Sequence, residues 1–279
     1  MDTTVTLAVL LAAVLHAGWN ALVRAGDDRL ARMVLLSLGA GAVAVPLVAV
    51  LPVPARGAWP WLAASVAIHT FYKLFLVQAY RRGDLGQVYP IARGAAPLLV
   101  AGAAWFAVGE TLTPTAVVAL VFVSGGILML AGQGRVAFAA DPAPVLWALA
   151  TAATIAGYTV VDGLGARTAG SAHTYAAWLF AVDALPLLLV ALAARGGALV
   201  RQLHASWRVG LPAGVMSFAA YWLVIWALTM APMALVSALR ETSVVIAALL
   251  GTLFLKEPFG RWRIAASAAV ALGVIVLRW

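Results

Sequence analysis

The sequence predicts an all-α integral membrane protein of ten transmembrane helices in two inverted five-helix repeats. Three observations carry that prediction: a strongly apolar composition, ten hydrophobic segments joined by short connections, and scarce polar residues that recur at matching places in both halves. Of the 279 residues, 65% are hydrophobic and 10% are charged, and the mean hydropathy is +1.02. A soluble domain could not hide that much apolar surface. A spanning helix takes roughly 20 apolar residues, so the chain has length for about ten spans.

The hydrophobic segments fall at 4–23, 33–51, 59–80, 87–109, 114–132, 142–162, 173–194, 208–229, 233–255 and 261–277. Connections such as Gly109-Glu110-Thr111-Leu112-Thr113 and Met230-Ala231-Pro232 leave no room for an extramembrane domain. Any chemistry must therefore happen among the helices, which excludes soluble-enzyme and nucleic-acid readings. The net charge of +8 and pI near 10.6 come from Arg residues dispersed over helix ends and loops, an arrangement that sets orientation rather than gripping a polyanion.

Counted by alternate connections, Arg24, Arg29, Arg32, Arg81, Arg82, Arg135, Arg195, Arg201, Arg208, Lys256, Arg261 and Arg263 share one side, against Arg56, Arg167 and Arg278 on the other. The positive-inside rule then places the odd-numbered connections in the cytoplasm and both termini outside. The absence of Cys excludes disulfide and thiolate chemistry. Asp2, with no Lys or Arg before the first span, is unlike the basic start of a signal peptide. No P-loop pattern ending in Gly-Lys-Ser/Thr occurs, so a gradient drives any transport or the transport is passive.

Setting residue i against i+147 aligns Arg93 with Arg240, Ala101 with Ala248, Glu110 with Glu257, Ala119 with Ala266, Val123 with Val270, Gly126 with Gly273 and Leu130 with Leu277. The identities are few, but they include the scarce charged residues. The chain therefore divides into halves at 1–132 and 142–279. Five helices per half is odd, so the second half enters the membrane from the opposite side, as in transporters with inverted repeats, and the binding site is expected between the halves.

An ionisable side chain in the bilayer costs at least about 2.5 to 3.5 kcal/mol on insertion scales, which makes each one a candidate functional residue. His16 and Asn20 lie four apart on one face of the first span, beside Trp19. His69, Tyr72 and Lys73 share a face deep in the third, and the Lys73 ammonium needs either a protein carboxylate or an anionic substrate group. Tyr89 and Arg93 share a face in the fourth, where Pro97 is expected to kink the helix; Arg93 either forks onto a carboxylate or snorkels to the headgroups.

Tyr158 and Asp162 repeat the four-residue spacing in the sixth span, with Asp162 expected near the span's end and therefore either in the cavity or at solvent. Arg240 and Glu241 are adjacent in the ninth span, and Glu241 is placed to meet Lys73 or Arg93. Asp183, in mid-span of the seventh, is either a proton relay or a partner for a basic residue. Glu110 and Glu257 read as helix-turn structure, beside a Thr113 cap and Pro114 at the start of the next helix. Gly125, Gly126, Ala265, Ala269 and Gly273 read as close helix packing. Trp59, Trp61, Trp207, Trp262 and Trp279 suit the interface, whereas Trp19, Trp105, Trp178, Trp222 and Trp226 are expected deeper, as packing or cavity wall.

Together His16-Ala17-Gly18-Trp19-Asn20, Tyr89-Pro90-Ile91-Ala92-Arg93-Gly94 with Pro97 and Gly109-Glu110, Tyr158-Thr159-Val160-Val161-Asp162-Gly163, and Lys256-Glu257-Pro258 resemble the EamA-type transporters of the drug/metabolite transporter superfamily. The resemblance covers essentially the whole chain. It implies a bacterial inner-membrane secondary transporter of a small metabolite, often an exporter, with a central cavity lined mainly by spans one, three, four, six, eight and nine. Related small multidrug exporters carry an acidic residue in their first span; this chain has none there, which argues against a lipophilic cation.

The sequence-level expectation is transport of an anionic or zwitterionic metabolite, such as an amino acid or organic acid, without a cofactor or metal and with no enzymatic activity. Lys73 and Arg93 would take the negative group, and His16, Asn20, His69, Tyr72 and Tyr158 would orient the substrate. Proton coupling, where it occurs, falls to Asp162, Glu241 or a histidine. The partners are then the substrate, the lipid bilayer and a coupling proton, in a monomer or homodimer. The alternatives are flipping of a lipid-linked anion and an intramembrane enzyme using His16, His69 and Asp162.

Overall fold

In a computed structural model, which describes residues 1–24, 28–83, 85–131, 141–255 and 260–277, the protein is built from α-helices. They are α1 Thr3–Arg24, α2 Arg29–Val50, α3 Trp59–Arg82, α4 Leu85–Val108, α5 Pro114–Ala131, α6 Ala143–Thr168, α7 Ala172–Arg195, α8 Ala198–Met230, α9 Met233–Arg240, α10 Ser243–Leu255 and α11 Arg261–Val276. A single 3-10 turn, Arg56–Ala58, precedes α3. Eight segments, those of α1 through α8, are each long and apolar enough to cross a membrane. With them the chain is an integral membrane helical protein.

Three boundaries depart from the hydropathy reading. The sixth segment runs on to Thr168, so Asp162 lies well inside α6 rather than at its end. The eighth begins at Ala198 instead of 208, because Arg201 and Arg208 interrupt the apolar window but, as good helix formers, not the helix. Its 33 residues reach about 50 Å, longer than a ~30 Å hydrocarbon core, so α8 extends beyond it. The ninth segment is broken, with Glu241 and Thr242 forming a turn between α9 and α10.

Local chemistry explains the helix ends. Asp28 caps α2 by accepting from the Ala31 amide at 3.0 Å. Thr113 Oγ1 accepts from the Ala116 amide at 3.2 Å, with Pro114 as the first residue of α5. Gly109, at φ +66°, ends α4 in a left-handed cap: its amide bonds the Trp105 carbonyl, and the Glu110 amide bonds that of Ala104. Glu110 thus sits in a helix-ending turn, as its sequence position suggested, while Glu257 and the Lys256-Glu257-Pro258 segment lie outside the described residues. α4 continues through both Pro90 and Pro97.

The helices pack in a pattern that interleaves the two halves of the chain. α3 and α4 lie on α6, α1 on α8, α2 on α7 and α8, and α5 on α11. The α2–α8 crossing is tight enough to demand glycine: a Cβ on Gly214 would lie 2.3 Å from the Leu36 carbonyl oxygen and 2.7 Å from Gly39 Cα. The α5–α11 contact is reciprocal. A Cβ on Gly126 would lie 2.9 Å from the Ala266 carbonyl oxygen, and one on Gly273 would lie 2.9 Å from that of Ala119. Gly125 meets nothing within 4 Å, and Trp105, expected deep, is 64% exposed on the outer surface of α4.

Candidate functional site

A cavity of about 60 Å³ opens between the halves, with space for a few water molecules. Its polar wall draws on α1 (His16, Trp19), α2 (Ser37), α3 (His69, Tyr72, Lys73), α6 (Tyr158), α7 (Asp183), α8 (Ser217, Tyr221) and α9 (Arg240). Of the eleven residues the sequence singled out, His16, His69, Tyr72, Lys73, Tyr158 and Arg240 line it. Asn20, Tyr89, Arg93, Asp162 and Glu241 are not among the lining residues.

Lys73 already has a counter-charge. Its ammonium pairs with Asp183 Oδ2 and donates to Ser37 Oγ at 2.9 Å, all three side chains being buried. The sequence left the choice between protein and substrate open, and in this structure the protein supplies the carboxylate. Asp183 Oδ1 has no protein partner and belongs to a cavity residue.

Arg93 likewise has a protein counter-charge, through an ion pair with Glu241 and a 3.4 Å contact from Nη2 to Ser243 Oγ, while its Nη1 is buried without a hydrogen-bond partner. Snorkelling is excluded by its burial at 2% exposure. Glu241 carries a second load: Arg240 Nε and Nη2 donate to its Oε1 at 3.3 and 3.2 Å. Two buried guanidiniums thus share one carboxylate. Arg240 is the one at the cavity, with its guanidinium carbon 5.7 Å from the Tyr158 ring centre and 6.0 Å from that of Tyr221. The break between α9 and α10 falls at Glu241, where a continuous helix would otherwise pass.

Asp162 is wholly buried, which removes the solvent-exposed reading. Its carboxylate accepts from Tyr175 Oη at 3.0 Å and Tyr221 Oη at 2.6 Å, and His69 Nε2 lies 4.0 Å from Oδ2. The His69 ring stacks on Tyr158 at 4.2 Å, and its Nδ1 lies 3.0 Å from the Ser65 carbonyl oxygen. Asn20 spends its amide on the His16 carbonyl of its own helix, at 3.0 Å. His16 stands edge-on to Trp19 at 4.7 Å. His16 Nε2 and Trp19 Nε1 are buried without a protein partner.

Tyr221, Tyr175, Ser37 and Ser65 were not anticipated as part of this network. Scarcity was the available signal: the chain has six tyrosines, and Tyr72, Tyr158, Tyr175 and Tyr221 gather here. Among the described residues no group of three or more His, Cys, Asp or Glu is placed to hold a metal ion.

Fold and site together define a helical membrane protein with a central cavity whose wall carries buried charge. Residues 143–279 match the EamA-like transporter family. This second half of the chain is EamA-like, part of the drug/metabolite transporter superfamily, and that family indicates a multi-pass membrane transporter of the same type. It is also similar in fold to a protein of known crystal structure, with a TM-score of 0.71 and 19% identity over 99% of this chain and 95% of that one. None of the curated proteins matches in sequence.

Proposed function

We propose that the protein carries a small zwitterionic or anionic metabolite, such as an amino acid or organic acid, across the bilayer by alternating access of two inverted halves. One observation carries this reading: Arg93 and Arg240 share the single carboxylate of Glu241, and Arg240 faces the cavity. A buried charge without full compensation is costly, so an anionic substrate group at Arg240 completes the set. Arg240 thus takes the role that the sequence assigned to Lys73 and Arg93.

The other end of a zwitterion has a place as well. Asp183 Oδ1 accepts an ammonium, while Trp19 Nε1 and His16 Nε2 add hydrogen bonds that fix orientation. Alternating access of two related halves draws support from the reciprocal α5–α11 contact, in which Gly126 meets Ala266 and Gly273 meets Ala119, each residue 147 after its counterpart. Reciprocity of that kind is what a two-fold relation produces. Export and a bacterial inner membrane draw support from the family resemblance, and external termini from the charge distribution.

The test is a thermal-stability screen of purified protein against amino acids, organic acids, phosphate esters, organic cations and lipid-linked phosphates. Wild type is compared with Arg240→Gln and Asp183→Asn. Ligands that bind the folded state raise the melting temperature. Stabilisation by amino acids or organic acids that is lost in Arg240→Gln supports the reading, and flux in liposomes follows. Stabilisation by cations or lipid-linked phosphates alone, or an undiminished response in Arg240→Gln, overturns it.

A further inference from the structure

We propose that His69 and Asp162 form a proton-binding site linked to the anion site at Arg240, so that an anionic substrate group and a proton bind together. This rests on the function proposed above and adds to it a coupled ion and the residues that bind it.

His69 Nδ1 lies 3.0 Å from the Ser65 carbonyl oxygen and 3.1 Å from Ser65 Oγ. The carbonyl accepts from a protonated Nδ1, and the hydroxyl either accepts from that nitrogen or donates to it, so the site accommodates the neutral ring and the imidazolium alike. Nε2 faces Asp162 Oδ2 at 4.0 Å. Both Asp162 oxygens already accept from tyrosine hydroxyls, an arrangement suited to a carboxylate. His69 also lines the cavity, which gives the proton a way in.

The link to the anion site is a matter of charge balance. On α3 and α7, Lys73 and Asp183 compensate each other. From α4 and α9, Arg93 and Arg240 face Glu241 alone. Among the described residues, Asp162 on α6 is the remaining buried carboxylate, and it offsets the surplus guanidinium. Three cations and three anions then balance with His69 neutral. The remaining titratable groups facing the pair are the neutral Tyr72, Tyr158, Tyr175 and Tyr221, with His16 across the cavity from α1.

Contact between the two charges runs through shared rings. Arg240 lies over Tyr158 and Tyr221; Tyr158 stacks on His69, and Tyr221 donates to Asp162. A substrate anion on Arg240 takes over that guanidinium's compensation and leaves Asp162 as the uncompensated charge. A proton moving from bulk water through the cavity to His69 Nε2 restores neutrality. No bond in the substrate changes, and one proton accompanies each anionic group. By reciprocity, protonation of the pair strengthens anion binding by the same factor.

Removal of the Arg240 charge imitates its capture by an anion, so the proposal can be tested before a substrate is known. The full-length protein is labelled with 15N-histidine in lipid nanodiscs at neutral pH, and the His69 ring is assigned by its disappearance in His69→Gln. Arg240→Gln is expected to move His69 from the neutral form to imidazolium. Arg240→Lys should leave it neutral, and Arg240→Gln with Asp162→Asn should return it to neutral. An unchanged His69 in Arg240→Gln overturns the proposal, as does imidazolium that persists in the double variant.

If Arg240→Gln does not fold, Asp162→Asn alone decides. Mild acid should convert His69 to imidazolium in wild type but not in that variant, and identical behaviour in both overturns the proposal. Failure of the substrate reading is separate, since it shows in the stability screen. A screen that finds an anionic ligand while His69 ignores Arg240 sinks only the proton link.

Discussion

Lys73 on α3 and Asp183 on α7 form a buried ion pair that uses one carboxylate oxygen and leaves the other without a protein partner. The pair belongs to the cavity wall and holds helices from opposite halves of the chain. Its dual position, structural through Oδ2 and available through Oδ1, gives opposite consequences for removing one partner and removing both.

Lys73→Met leaves Asp183 as a buried charge without compensation, which costs about 3–5 kcal/mol. Lys73→Met with Asp183→Leu removes both charges and is expected to recover most of that loss. Thermal unfolding in detergent measures the cycle. Additive losses in the double variant would show that the two residues do not act as a pair.

Tyr175→Phe and Tyr221→Phe each remove one hydroxyl donor from the Asp162 carboxylate. A hydrogen bond to a charged group contributes about 1.5–3 kcal/mol, so each substitution should lower stability by that order. Asp162→Ala should be worse than either, since it strands both hydroxyls in the core. Melting temperatures of the three variants in the same detergent provide the comparison. Equal stability of Tyr221→Phe and wild type would mean that the 2.6 Å contact contributes nothing.

Much of this was legible because the membrane simplifies the code. Apolar runs marked the spans, and scarce charges marked the buried polar network: Lys73, Arg93, Asp162, Arg240 and Glu241 are all buried, and Lys73 and Arg240 line the cavity. What the sequence could not rank was the choice of partner. Lys73 meets Asp183 110 residues away, and no local spacing encodes a contact that depends on how helices cross. Asp162 was misplaced for a different reason: Gly163, Gly165 and Arg167 weaken the hydropathy after it, yet the helix continues to Thr168. The break at Glu241 was hidden as well, since an apolar window cannot distinguish one helix from two.

Helix crossings supply a third prediction. Gly214→Val would drive a side chain into the Leu36 carbonyl and the backbone of Gly39, and backbone cannot yield as a side-chain tip can. Loss of folded protein, read by size-exclusion chromatography and melting temperature, is expected. Gly102→Ala meets nothing within 4 Å and should gain stability, by roughly 0.5–1 kcal/mol of helix propensity. A tolerated Gly214→Val would refute the close approach of α2 and α8.

Outside the spans, Asp28 at the start of α2 pairs with Arg195 at the end of α7, and Arg195 also donates to Gln202 on α8 at 2.7 Å. Partial burial raises the Asp28 carboxyl, but the Ala31 amide and the Arg195 guanidinium outweigh it and hold the carboxyl below its ordinary value of 3.8. A depressed carboxyl stabilises the fold above that ordinary value, and the contribution is lost as pH falls through the lower, folded-state value. Asp28→Asn keeps a competent helix cap and removes only the charge, so the variant isolates the ion pair. Because the pair is partly exposed, wild type should exceed Asp28→Asn by no more than about 1 kcal/mol near neutrality. The gap should close in acid and shrink with added salt, as melting temperatures across pH would show; a gap that persists once Asp28 is protonated would assign the difference to the cap instead.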